Sequence, residues 1–219
     1  MEKLNVLDLF SGLGGWSSYF KEAGDNVITL DIERKFNPTF CLDITDVKSL
    51  KDLEAGGKFD IVLASPPCNC FSVASCYRHW ENGNPKDQAT LDAVEIVKHT
   101  LKLIHDYNPT YWVLENPRGM LRKVIGMPDY EIAQCKYGRS IMKPTDLWGH
   151  LPNTFIPLKC NNGNPDHERA SRGSKNGLQG INNSLNLLSS SSPERAKIPL
   201  GLSKAVRDSI VRVGISSDV

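Results

Sequence analysis

The run Phe59-Asp60-Ile61-Val62-Leu63-Ala64 limits what this chain can fold into more than any other feature. It is almost wholly apolar, with Gly56-Gly57 before it and Pro66-Pro67 after it. Such a run reads as a buried strand. The prolines stop the strand and hold Cys68, in Ser65-Pro66-Pro67-Cys68, at its exposed C-terminal lip. In open α/β sheets that lip is where ligands bind. A thiol there is placed for chemistry rather than packing, because a deprotonated thiol is a strong nucleophile.

Other runs repeat the pattern. Residues 4–10 read as a first strand, Ser11 to Gly15 as a tight turn, and residues 16–23 as a short helix. Residues 27–31 form a second strand ending in Asp31, residues 41–44 a short third one, and residues 47–53 a helix. The irregular stretch from Asn69 to about Pro85 is too long for an ordinary connection, and such loops are usually functional. Asn84-Pro85 then reads as the cap of a long helix. Val94, Val97, Leu101 and Ile104 share one face of it, and Asn108-Pro109 ends it. Residues 111–115 form a strand with Asn116-Pro117 at its lip. Residues 130–135 and 144–148 suggest two more, and residues 202–213 a closing helix. This alternation predicts an α/β fold: a Rossmann-like, doubly wound, mostly parallel sheet with helices on both faces.

The expected organisation is a catalytic domain over 1–150, a short irregular basic segment over 151–193 and a closing helix over 194–219. No apolar run approaches the ~18 residues of a membrane span, and residues 1–20 lack a secretory signal. A cytoplasmic, monomeric protein with six reduced cysteines is expected. Net charge is +1, but residues 1–60 carry 7 Lys/Arg against 11 Asp/Glu, whereas residues 134–212 carry 12 against 5. The basic half suits a nucleic-acid surface.

Three motifs converge on one sheet edge. Asp8-Leu9-Phe10-Ser11-Gly12-Leu13-Gly14-Gly15 is a glycine turn that lets a nucleotide-like ligand approach the backbone, with Asp31 where a ribose-binding acid belongs. From the glycines alone, a bare strand–helix turn is an equal reading. Cys68 is the second motif. The third is Glu115-Asn116-Pro117, a carboxylate ending a hydrophobic strand. There its pKa rises and it can donate a proton, although alone it also reads as a cap for the following helix. A metal site of Cys68, Cys70, Cys76 and His79 is a weaker rival, because the spacing misses the usual clips; no metal is expected.

Together these motifs resemble the cytosine-C5 methyltransferases that use S-adenosylmethionine. The resemblance implies that residues 8–15 are the cofactor motif and that Pro66-Pro67-Cys68 carries the nucleophile, with Glu115-Asn116 as the Glu-Asn motif. Asp31 would hold the ribose and Asp43 the adenine amino group. Phe10, Ser11, Gly12, Gly14, Gly15, Ile32, Ile44, Ser65 and Pro66 would join Asp8 in the cofactor site. Cys68 would add to cytosine C6 while Glu115 serves N3. The target base would be flipped from duplex DNA, with loop 69–85 as a lid from which Ser72 and Arg78 touch phosphate.

The sequence departs from the family after Tyr137-Gly138, where two arginines are typical. Lys143 falls on the first and Thr145, on the cytosine O2 position, falls on the second; Gln134-x-Lys136 is a competing alignment. No large recognition domain or Gly-Asn-Ser motif is visible. The stretch 167–175, with Arg169, Arg172 and Lys175, resembles a reduced recognition loop of compact phage-type members and reads equally as a solvated loop. RNA or a free cytosine nucleotide is the alternative substrate, and a non-catalytic binder the alternative class.

Overall fold

Apolar runs dictate the centre of the molecule and polar caps its edges. The computed structural model describes residues 3–73, 75–161, 163–165, 167, 194 and 196–216. In chain order come β1 (Asn5–Leu9), α1 (Ser18–Glu22), β2 (Asn26–Asp31), β3 (Phe40–Cys41), β4 (Ile61–Ala64), α2 (Cys76–His79), β5 (Trp80–Glu81) and β6 (Asn84–Pro85). After them come α3 (Gln88–Tyr107), β7 (Tyr111–Pro117), α4 (Arg122–Ile125), β8 (Tyr130–Ala133), β9 (Pro144–His150) and α5 (Leu200–Ser216).

The main sheet runs β3-β2-β1-β4-β7-β9-β8. Its first five strands pair in parallel; β9 is antiparallel to both β7 and β8. Alternate residues serve opposite faces, as the pleat requires. Leu7, Leu9, Val62 and Leu114 pack with Val94, Val97 and Ile104 of α3. Val6, Ile61, Leu63 and Val113 pack with Phe20 of α1 and Leu202, Val206 and Ile210 of α5. The doubly wound, mostly parallel α/β fold expected from the sequence is the one found. Strand order reverses between β1 and β4, so the crevice for a ligand lies beyond their C-terminal ends.

The long helix begins later than Asn84-Pro85 predicts. Asp87 is its cap: Oδ1 accepts from Thr90 N at 2.8 Å and Thr90 Oγ1 at 2.6 Å. Asn84-Pro85 instead forms β6, paired with Trp80-Glu81 across a two-residue turn. Asn82 and Gly83 both have positive φ, 50° and 81°, and Asn-Gly is the strongest short hairpin signal. Asn108 ends α3 in the left-handed region, as Asn108-Pro109 predicts. Residues 47–53 hold a 3₁₀ turn (Leu50–Leu53) instead of an α-helix, with another at Ile44–Asp46. Asp43 and Ser49 accept the N–H groups of Thr45 and Lys51, and such local bonds compete with α-helix formation.

Loop 69–85 is anchored at both ends of its course. Phe71 is fully buried, and its carbonyl accepts from Met120 N at 2.7 Å. Trp80 Nε1 donates to Cys70 O at 2.7 Å, and His79 meets the Asp87 cap at 2.8 Å. At the far end of the sheet, Arg122 clamps Asp146 with both Nε and Nη2 and reaches Glu131 with Nη2, tying β8 to β9.

The closing helix is locked to the first βα unit. Ser203 Oγ donates to Trp16 O and accepts from Tyr19 N. Arg207 Nε donates to Asp25 Oδ2 at 2.6 Å, and the Asp25 side chain is 1% exposed. Removing one partner of a buried pair strands the other charge. Arg207→Ala should therefore lower the free energy of unfolding by about 3 kcal/mol. Urea denaturation measures this; a loss below about 1 kcal/mol, the scale of a surface pair, would show that the pair is not a lock.

Candidate active site

The cavity at the strand-order reversal has a volume of about 790 Å³. The glycine turn forms one wall. Phe10 (φ 60°), Gly12 (φ 48°) and Gly14 (φ 69°) turn the backbone through conformations that side chains rarely adopt. Asp31, at the end of β2, fixes the turn by accepting from Gly12 N at 2.8 Å. Its other oxygen takes Glu33 N, also at 2.8 Å. Each carboxylate oxygen retains capacity for a further donor. Gly15 has a different reason to lack a side chain: a Cβ there would lie 2.5 Å from Ile198 N, so the segment before α5 presses directly on the turn.

Around this turn the cavity rim is apolar. Leu13, Ile32 and Leu42 are exposed large aliphatics that line it, with Phe10 and Ile44 beside them. Asp43 lines it too, one oxygen already occupied by Thr45. An apolar slot edged by the Asp31 and Asp43 carboxylates suits a ligand with an apolar face and hydrogen-bond donors along its edge.

The second wall carries the reactive groups. Ser65 and Glu115 lie one position beyond the paired residues Ala64 and Leu114, so neighbouring strands bring them together. Ser65 Oγ donates to Glu115 Oε2 at 3.2 Å and accepts from Trp16 Nε1 at 2.9 Å. Gln134 Nε2 donates to Glu115 Oε1 at 3.3 Å and to Thr145 Oγ1 at 3.1 Å. Lys143 Nζ lies 3.9 Å from Glu115 Oε1 and acts through its charge. Cys68 lines the same cavity, and Asn116 Nδ2 donates to Pro66 O at 3.1 Å, fixing the proline lip that carries the thiol.

Burial, and then the neighbouring Glu115 carboxylate, push the Cys68 thiol up; Lys143 opposes both. Burial likewise pushes Glu115 up, against the pull of Lys143 and Ser65. The two groups are linked. A protonated Glu115 no longer opposes a thiolate at Cys68, so thiolate plus carboxylic acid is the favoured reactive pairing.

Of the residues expected in the cofactor site, Asp8, Phe10, Ser11, Gly12, Gly15, Asp31, Ile32, Asp43, Ile44, Ser65 and Pro66 line the cavity; Gly14 shapes the turn without lining it. Cys68, Glu115, Lys143 and Ser72 line it, whereas Asn116 lies behind it. Thr145 is fully buried, held by Gln134, and does not reach the cavity. Arg78 points to the Tyr77 hydroxyl on the outer surface of the loop. Arg169, Arg172 and Lys175 lie outside the described residues. Cys70, Cys76 and His79 turn to Ala89 O, Val73 O and Asp87, so the rival metal set does not assemble.

Three participants escaped the sequence reading. Gln134 stands in the sequence only as part of a competing alignment, Gln134-x-Lys136, yet its amide holds Glu115. Arg139 lines the cavity, donates to Gln134 Oε1 at 2.5 Å and to Lys197 O at 3.2 Å, and so joins the closing segment to the carboxylate. Its place directly after Tyr137-Gly138 was the available signal. Trp16 fixes Ser65, and nothing in its sequence context announces that.

Comparison with known proteins now decides the family. The sequence model of the C-5 cytosine-specific DNA methylases matches residues 4–127. The chain belongs to that family. Among its relatives is the type II methyltransferase M.AplI of Arthrospira platensis, 33% identical over 125 residues, which cover 55% of this chain and 33% of that protein. Another is a probable DNA (cytosine-5)-methyltransferase of Frog virus 3, 27% identical over 165 residues, covering 72% of this chain and 75% of the viral one. The chain thus spans about a third of the bacterial methylase and three quarters of the viral one. A crystal structure of a putative DNA modification methyltransferase from an E. coli prophage superposes with a TM-score of 0.49 at 18% identity, over 73% of this chain and 52% of that one.

Asp8 offers a test of the electrostatics in this cavity. It is 1% exposed and accepts from Ser17 N, and burial raises its pKa from 3.8 to about 6. A raised folded-state pKa gives stability that is present below the unfolded value and lost as pH climbs through the folded one. The unfolding free energy of the native chain, relative to Asp8→Asn, should fall by about 2 kcal/mol between pH 4 and pH 7 and then level off. Denaturant titrations across that range measure it; a pH-independent difference would mean that Asp8 is not buried as a carboxyl group.

Proposed function

We propose that this chain methylates C5 of cytosine in DNA, using S-adenosylmethionine and a covalent adduct through Cys68. The observation that carries this reading is the meeting, in one cavity, of a nucleophilic thiol, a buried carboxyl group with a raised pKa and a nucleotide-type glycine turn. Membership of the methylase family supports it.

The residues fit the cofactor. Asp31 has acceptor capacity for ribose hydroxyls and Asp43 for an adenine amino group; Ile32, Ile44 and Phe10 supply the apolar slot. S-adenosylmethionine, when bound, supplies the electrophilic methyl group on a cationic sulfur. The chain's own groups make cytosine C5 able to accept it. Cys68 Sγ, as thiolate, forms a bond to C6, and the electron pair of the C5–C6 double bond moves into the ring. Glu115, whose pKa burial pushes up, donates a proton at N3 and offsets the charge that develops there. Ser65 and Gln134 each donate to one Glu115 oxygen and so fix which way the acid faces. Lys143 supplies positive charge beside the same carboxyl group. After transfer, water takes the C5 proton, the electrons of that C–H bond restore the C5–C6 double bond as the thiolate leaves C6, and the N3 proton returns to Glu115.

DNA is read as the substrate from the family and from the basic C-terminal half. A flipped base fits a cavity set behind an anchored loop, with Ser72 facing the target and Arg78 on the outer surface for phosphate. Thr145 supports Gln134 in this scheme rather than touching the base.

Tritiated methyl transfer to duplex DNA, with the 5-fluorocytosine form as a trap, tests the reaction. The expected result is label in DNA and a covalent adduct on the native chain. Cys68→Ser should keep cofactor affinity and lose both. Full methylation by Cys68→Ser would sink the mechanism, and label in tRNA or dCMP but not in DNA would move the substrate. Glu115→Gln should lower the single-turnover rate by about 10²–10⁴, the range for a lost general acid. A drop of less than tenfold would remove Glu115 from the chemistry.

A further inference from the structure

We propose that Cys135, Cys160 and His167 form a binding site for a zinc-class metal ion, separate from the methyl-transfer cavity. Their ligand atoms lie within 4.8 Å of one another. None of the three lines the cavity. Zinc–ligand bonds of ~2.3 Å to sulfur and ~2.05 Å to nitrogen imply tetrahedral edges of about 3.8 Å between sulfurs and about 3.6 Å between sulfur and nitrogen. Cys160 Sγ and His167 Nδ1 are 3.4 Å apart, already at such an edge. Two thiolates and an imidazole are the donors that zinc prefers over calcium or magnesium.

The meeting of Cys135 and Cys160, 25 residues apart, is fixed by one backbone–backbone bond and two bonds from the Tyr137 hydroxyl. Ala133 N donates to Leu158 O at 2.9 Å. Tyr137 Oη, on the other side of Cys135, accepts from Leu158 N at 3.0 Å and donates to Ile156 O at 3.3 Å. The strap 156–160 is therefore held against the turn Gln134–Tyr137, and both thiols are half-buried and free. Among the described residues no carboxylate joins the three donors; Glu131 and Asp146 of β8 and β9 are engaged by Arg122 and Lys159. Three protein donors leave a fourth position for water.

Metal binding would release two thiol protons and form two sulfur–metal bonds and one nitrogen–metal bond. It would pin His167, the first residue of the basic stretch 167–175, to the turn that carries Gln134, the residue donating to Glu115. The site stands independently of the methyl-transfer reading.

The test uses the full chain, purified under reducing conditions without a polyhistidine tag or chelator. Elemental analysis should find about one zinc per chain. Cys135→Ser and Cys160→Ser should each fall to background, while Cys41→Ser, on the exposed β3 strand, keeps the metal. Cobalt exchanged into the native chain should show a thiolate-to-metal charge-transfer band and d–d bands of tetrahedral intensity. His167→Ala should alter the d–d bands and keep the charge-transfer band. The cobalt spectrum of the native chain also covers the case in which a serine variant fails to fold. Absence of zinc together with a featureless cobalt spectrum overturns the proposal. So does full zinc retention in both serine variants, or a metal-free chain in which two of the six thiols become titratable only after reduction.

Discussion

The Glu115 carboxyl group is the point on which the rest of this structure hangs. A carboxyl group at the buried end of a central strand is costly unless it is held by donors. Here the donors come from different parts of the chain. Ser65 arrives from the parallel neighbour β4, Gln134 from the turn after β8, and the Lys143 charge from the start of the antiparallel β9. Arg139 extends the set by holding Gln134 and the carbonyl of Lys197. The two halves of the sheet, parallel and antiparallel, thus meet at one acid. Without the antiparallel part, Ser65 alone of these three would remain beside that acid.

This explains a division in what could be read from the residues. The strands whose ends carry chemistry were legible because their apolar runs stop at glycine or proline, and because burial on both faces leaves little ambiguity. β1, β2, β4 and β7 all appear where their runs predict, and Cys68, Asp31 and Glu115 follow from them. What was not legible depends on distant partners. Gln134 has no local signature of its role, since its amide acts only through contact with Glu115. Lys143 could be placed by spacing from Tyr137-Gly138, but Thr145 turned inward because the alternation of β9 puts it against Gln134. The missed hairpin at Asn82-Gly83 is of another kind: the local signal was present, and the adjacent Asn84-Pro85 pair, equally good as a helix cap, outweighed it.

Family membership and site geometry constrain different things. The family model covers residues 4–127, where the thiol, the glycine turn and the carboxylate lie. Gln134, Arg139, Lys143 and the segment at 197–198 lie after it, and they complete the environment of the same carboxyl group. The part of the chain that departs most from the family's usual motifs is therefore in direct contact with its most specific one. Cys68 and Glu115 lie inside the range that the family model matches, and the groups whose charges and hydrogen bonds reach Glu115 from Gln134, Arg139 and Lys143 lie after it.

The contact between Gly15 and Ile198 has a further consequence. The turn that shapes the cofactor wall is completed by backbone that the ribosome delivers more than 180 residues later. A nascent chain already carries the thiol and the carboxyl group long before that wall exists. Its thiol and carboxyl group therefore stay beside an open wall through most of synthesis, until residue 198 has emerged and can pack on the glycine turn.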